Sequence, residues 1–213
     1  GGHRGGPELR VVVPEGPWEG LIRRAAPADT RLSVATVELH EVHQALACSP
    51  ARRRDNAIEV VVLQMAARPG ELPANVDRLA ELVRKHADGA ELVVAPELVT
   101  SGYDLDVLAR RGRELAEPLD GPTAARVSEL ATRTGTTLVF GMLERDGDVL
   151  YDSAVVAAPG GQLVPYRKSH LYPTESELFA AGTELVVAPT PAGRLGMMIC
   201  FEHAFPDVAT ALA

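Results

Sequence analysis

An α/β fold with a mixed sheet is what this sequence predicts, and three observations predict it. From Ile58 onward, short apolar runs rich in β-branched residues alternate with segments whose apolar residues recur at helical spacing. Asp146-Gly147 sits between two such runs, the signature of a tight hairpin and hence of an antiparallel part of the sheet. The length, 213 residues, suits one sizeable domain better than two.

The elements follow in order. "IEVVVLQM" (58–65) reads as a buried strand. After a loop with Pro69, Gly70 and Pro73, the residues Val76, Leu79, Ala80, Val83 and Ala87 share a helical face, with Asn75 placed to cap and Gly89 to terminate. "ELVVA" (91–95) is the next buried strand. Pro122 opens a helix on which Val127, Leu130 and Ala131 share a face. "TLVFGML" (137–143) and "VLYDSAVVA" (149–157) form the hairpin. A second turn at Pro159-Gly160-Gly161 leads into "QLVPYRK". "RLGMMIC" (194–200) reads as a last strand, and Phe205 to Ala213 begins a helix that buries Phe205, Val208 and Leu212.

The first 57 residues differ. They are rich in Gly, Pro, Arg and Ala and carry Arg52-Arg53-Arg54. Val11-Val12-Val13 and "LSVATVEL" (32–39) could be strands, but no partner is evident, so residues 1–57 are expected to be an irregular extension before a domain at 58–213. A helix stopping at "ATALA" is an unusual domain boundary, so the domain is expected to be truncated after the segment "GMMICFEHAFPD" (196–207), its C-terminal part missing.

Composition removes several function classes. The chain is 46% hydrophobic and 23% charged, with a formal net charge of −8, which argues against a nucleic-acid surface. No apolar run approaches the ~18 residues of a membrane span. "GGHRGGPELR" lacks a signal peptide's apolar core, and a cytoplasmic location is expected. The two cysteines, Cys48 and Cys200, form no CxxC pair, so thioredoxin-like chemistry and a cysteine-rich zinc site lack support. "LHEVH" (39–43) is not HExxH and reads as a polar face. Cys48 is given no role.

Three expected strand ends carry chemistry. "GMMICFEHAFPD" (196–207) places Cys200 before a turn into a helix, where open α/β sheets put reacting groups. Taken alone, Cys200 reads first as a buried, inert thiol. "ELVVAPE" delivers Glu97 in the same way, and "QLVPYRK" delivers Lys168 ahead of Glu175 and Glu177. Each could be a surface residue. Together they could supply a base, a cation for an oxyanion and a nucleophile, the set that acyl transfer requires.

The segments "VVAPELVTSGYD", "YRKSHLYPTESELFAAG" and "GMMICFEHAFPD" resemble, in order, the glutamate, lysine and cysteine motifs of the nitrilase, or carbon–nitrogen hydrolase, superfamily. The resemblance runs from about Ile58 to Ala213 and implies an α-β-β-α sandwich. It implies catalytic Glu97, Lys168 and Cys200, with Glu175, in preference to Glu177, as a second active-site glutamate. It implies a cysteine thioester route with the backbone N–H of Phe201 in the oxyanion hole and no cofactor or metal. Glu202, His203 and Tyr103, the last within the glutamate motif segment, are candidates to line the pocket.

The expected activity is hydrolysis of a non-peptide carbon–nitrogen bond in a small amide or carbamoyl amine. Phe205-Pro206-Asp207 resembles the amidase branches, whereas Cys-Phe-Glu-His partly resembles nitrilases, which take nitriles. A catalytically silent binding module is the alternative of another class. The family's acyltransferase branch is membrane-embedded, and this chain has no spanning segment to match it. The partners expected are a small-molecule substrate and, in the complete protein, further copies of the chain.

Overall fold

The computed structural model describes the backbone of residues 8–14 and 31–37, and residues 58–213 with their side chains. Cys48 and the basic run at 52–54 lie outside the described residues.

The principal sheet has seven strands in the order β2-β1-β3-β4-β5-β6-β7. They are β1 (Glu8–Pro14), β2 (Arg31–Val37), β3 (Glu59–Val62), β4 (Leu92–Val94), β5 (Thr137–Asp146), β6 (Val149–Ala157) and β7 (Leu163–Arg167). Pairing from β2 to β5 is parallel, and β5-β6-β7 is an antiparallel meander. The 1–57 segment thus contributes two strands that pair with each other and, through β1, with β3. The hairpin forms at its expected place, with Asp146 opposite Val149.

Helices α1 (Leu72–His86) and α3 (Pro122–Thr134) cover one face of the sheet. Leu79, Leu82 and Val83 of α1 and Val127 and Leu130 of α3 pack with Val61, Val93, Leu138, Phe140 and Val155. Each large side chain so buried contributes roughly 1.5–3 kcal/mol. The other face meets a two-stranded sheet, β8 (Val187–Thr190) with β9 (Gly193–Gly196), through Val156, Tyr166, Ala188, Met197 and Ile199. Val155 and Val156 serve opposite layers because successive strand side chains point to opposite faces. Burial on both faces explains the near-continuous apolar runs. A short last helix, α4 (Pro206–Leu212), buries Val208 and leaves Phe205 and Leu212 half-buried.

Two expectations are corrected, and one helix is added. Asn75 does not cap α1, which begins at Leu72 with a proline in its first turn. The Asn75 amide is buried and ties down the preceding loop, accepting from Arg68 N and donating to the carbonyls of Arg68 and Thr100. The strand expected over 194–200 ends at Gly196. Beyond it Met197, whose N–H donates to Val186 O, and Ile199 pack into the sandwich while Met198 and Cys200 are exposed, and Cys200–Ala204 is a 3-10 turn. Helix α2 (Leu105–Leu115) was not foreseen, although Asp104 caps it by accepting from Val107 N at 2.9 Å and Leu108 and Leu115 recur on its buried face.

Candidate active site

Glu97 is delivered by a loop pressed against β5. After β4, Ala95 N donates to Val139 O, Gly141 N donates to Pro96 O, and Thr100 N donates to Gly141 O. Gly141 makes this approach possible, because a Cβ there would lie 2.3 Å from Leu98 N and 2.6 Å from Pro96 O. Leu98, fully buried, adopts φ +44°, and that sharp turn aims the preceding carboxylate into the site.

Lys168 follows β7. Its backbone N–H donates to Asp152 O at 2.9 Å, and its carbonyl accepts from Gly182 N at 2.8 Å. Gly182 is again a packing requirement, since a Cβ there would lie 2.2 Å from Arg167 O. The Lys168 side chain is fully buried. Its ammonium donates to Glu97 Oε1 at 2.6 Å, Glu175 Oε1 at 2.9 Å and Asp152 Oδ2 at 3.3 Å. An ammonium has three donors, and all three are taken by side-chain carboxyl oxygens. Burial pulls the Lys168 pKa down, but hydrogen bonds to Glu97 and Glu175 and the nearby carboxylate charge more than offset it. Lys168 therefore stays charged. Carboxylate oxygens of Glu97, Asp152 and Glu175 lie within 4.8 Å of one another, a spacing that would suit a metal ion. The cation among them is the Lys168 ammonium.

Glu175 sits in a 3-10 turn, Glu175–Glu177, and is fully buried. Besides Lys168, it accepts from Tyr172 N and from the Tyr103 hydroxyl, each at 2.7 Å. Glu177 faces solvent. Burial and then the bond to Glu175 raise the Tyr103 pKa, so its hydroxyl remains a donor.

Cys200 opens the 3-10 turn with φ +43°, a conformation uncommon outside glycine. The turn is held by Glu202, a fully buried carboxylate. It accepts from Ile199 N at 2.6 Å, Ser169 N at 2.9 Å, the Ser169 hydroxyl at 2.6 Å, His170 N at 3.1 Å and the Tyr166 hydroxyl at 2.6 Å. Burial acts to raise the Glu202 pKa, but the bonds from Ser169, Tyr166 and Ile199 outweigh it and leave it lowered. Tyr166 is pushed up to about 12 by burial and by its bond to Glu202. Glu202 thus fastens the cysteine segment to the lysine segment. The ring of Phe201 packs edge-on against Tyr172 and Phe205, at 5.2 and 5.3 Å between centroids, and reinforces that seam.

Glu97, Asp152 and Cys200 line one cavity of about 120 Å³, walled by Val94, Val139, Met198 and Ile199 among others. At roughly 30 Å³ per liquid water, that space holds about four waters, or a small aliphatic group. Burial first, and then the charge of Glu97 and a hydrogen bond to it, raise the Cys200 pKa, with Lys168 opposing. The resting thiol is therefore protonated and beside a carboxylate. Of the other residues expected at the pocket, Tyr103, Phe201, Glu202 and His203 do not line this cavity. Tyr103 reaches the site only through Glu175. Glu202 is turned into the protein as the clamp, and the exposed His203 bonds the Cys200 carbonyl through Nδ1. Asp152 was missed. In sequence it is one polar residue inside a strand, and only the β6–β7 pairing brings it beneath Lys168.

The family model described as "Carbon-nitrogen hydrolase" matches residues 59–213. A protein named nitrilase from Pyrococcus abyssi is 36% identical over 160 residues, covering 73% of this chain and 60% of the relative. A protein named (R)-stereoselective amidase from Pseudomonas is 29% identical over 156 residues, covering 73% and 56%. A CN-hydrolase superfamily protein from Xanthomonas campestris, with an arsenic adduct in its active site, superposes with a TM-score of 0.64 at 27% identity, covering 70% of this chain and 56% of that one. The chain thus spans between half and two thirds of the length of these relatives.

Proposed function

The chain belongs to the carbon–nitrogen hydrolase family, and on that premise we propose that it hydrolyses a small linear amide or carbamoyl amine through a thioester on Cys200. One observation carries the reading: the Cys200 thiol and the Glu97 carboxylate share a cavity, with the buried Lys168 ammonium bonded to Glu97.

The proposed sequence is as follows. Glu97 takes the thiol proton as Cys200 Sγ bonds to the amide carbon, and the C=O π pair moves onto oxygen. The Lys168 charge and the backbone N–H of Phe201 stabilise that oxyanion. The oxyanion re-forms the carbonyl, the C–N bond breaks, and Glu97 returns the proton to the departing amine. Water then gives its proton to Glu97 and attacks the thioester. The acid leaves and the thiol is restored. A raised thiol pKa suits this route, because proton removal is coupled to attack rather than completed beforehand. Glu175 positions Lys168. The lysine contact at 3.3 Å from Asp152 is the longest of its three, and is the one an oxyanion would replace.

A nitrile substrate is the second reading, favoured by the similarity to a protein named nitrilase. A cytoplasmic, homo-oligomeric enzyme remains part of the proposal. Ammonia release measured over short amides, carbamoyl amines and nitriles tests it. Release from amides or carbamoyl amines supports it, release from nitriles alone selects the second reading, and no release from any class rejects both.

A further inference from the structure

Asp152 is the one buried acid of the cluster whose contacts are incomplete. It is 1% exposed. Its Oδ2 accepts from Lys168 at 3.3 Å, while its Oδ1, also buried, has no hydrogen-bond partner. Asp152 lies on the wall of the cavity that it shares with Glu97 and Cys200.

The groups facing it come from four elements: Glu97 after β4, Lys168 after β7, Glu175 on its 3-10 turn, and Cys200 across the cavity. With every acid ionised, three carboxylates would surround one ammonium. A net charge of −2 in a buried cluster is costly, and closely spaced carboxylates respond by keeping a proton. Glu175 already has Lys168, Tyr103 and the Tyr172 N–H donating to it. Glu97 has the shortest of the lysine contacts. Asp152 has the weakest support for a negative charge.

We infer that Asp152 carries a proton in the resting protein and donates it in a hydrogen bond to Glu97, as a positioning residue for the base. This rests on the reading of Glu97 as the base. A carboxylate pair can hydrogen-bond only with a proton between its members, so the proton supplies the partner that the buried Asp152 oxygen lacks. Burial, followed by the hydrogen bond and charge of Glu97, pushes the Asp152 pKa well above the usual carboxylate range, against the pull of Lys168. Two consequences follow. Glu97 is held at a fixed orientation toward Cys200. Lys168 faces a neutral oxygen on one side, a contact it can exchange for a substrate oxyanion.

The test is infrared spectroscopy of the unmodified protein at neutral pH, together with Asp152→Asn. Asparagine keeps an N–H to donate and carries no charge. The expected result is a protonated-carboxyl carbonyl band that vanishes in the variant. Absence of the band from the unmodified protein overturns the inference, and so does its persistence in Asp152→Asn, which would put the proton on another acid. The rate of Cys200 alkylation against pH is the second reading. If Asp152 is neutral, its replacement leaves the neutral-pH rate within about threefold. A rise of about tenfold or more, the size of one pKa unit, would show that an anion had been removed and would overturn the inference. Both measurements report the proton whether or not amides are hydrolysed, so failure of the inference and failure of the proposed activity are told apart.

Discussion

The Lys168 ammonium lies 2.6 Å from Glu97 Oε1 and is fully buried. The pair therefore has a structural as well as a chemical consequence. Removing the lysine would leave Glu97, Asp152 and Glu175 without their cation. Breaking a buried pair by deleting one partner costs about 3–5 kcal/mol. Lys168→Ala is expected to lower the denaturant midpoint markedly and to lose ~10²–10³ in kcat with the oxyanion charge. An alanine variant of unchanged stability would mean that the cluster is not held by this ammonium.

Glu97→Gln separates basicity from thiol acidity. The negative charge of Glu97 is one cause of the raised Cys200 pKa, so its removal lowers that pKa. Alkylation of Cys200 at neutral pH should accelerate in the variant. Turnover should fall by the ~10²–10⁴ that a general base contributes. Rate data showing both quantities falling together would point to a displaced cysteine instead of a missing base.

Much of this site was legible in the sequence, and the reason is local. Glu97, Lys168 and Cys200 each follow an apolar run and sit inside a long motif. What escaped is tertiary. Asp152 becomes part of the site only through strand pairing. Glu202 looks like a pocket residue because it neighbours the cysteine, and only the fold shows its carboxylate gathering donors from the lysine segment. Cys200 was expected at a strand end. The strand instead ends at Gly196, and Met197 and Ile199 pack between the sheets before the 3-10 turn that Cys200 opens.

Glu202→Gln tests the clamp by its pH dependence. The folded-state pKa of Glu202 is lowered, so its stabilisation is present above the unfolded value and lost as pH falls through the folded one. The variant should be less stable at neutral pH, by roughly 1–3 kcal/mol for each buried donor left unpaired. Its stability should also change less between neutral and acidic pH than that of the unmodified protein. Parallel stability curves for the two would remove Glu202 from the account.

Gly141→Ala tests the loop that carries Glu97. Its Cβ would meet Leu98 N at 2.3 Å, so the loop must shift. Overpacking of this kind costs about 1–3 kcal/mol. A shift of about 1 Å at the base can cost ~10² in rate. The expected outcome in steady-state kinetics is a fall in kcat out of proportion to the loss of stability; unchanged kcat would show that Glu97 tolerates the displacement.

The central claim is that Cys200 becomes acylated. Rapid acid quench during turnover of a small amide, followed by peptide mass mapping, measures this directly. The account predicts the acyl mass on the peptide containing Cys200, its absence from Cys200→Ala, and undiminished labelling in Cys48→Ala. Acylation of Cys48 instead, or amide hydrolysis that continues at full rate in Cys200→Ala, would contradict it.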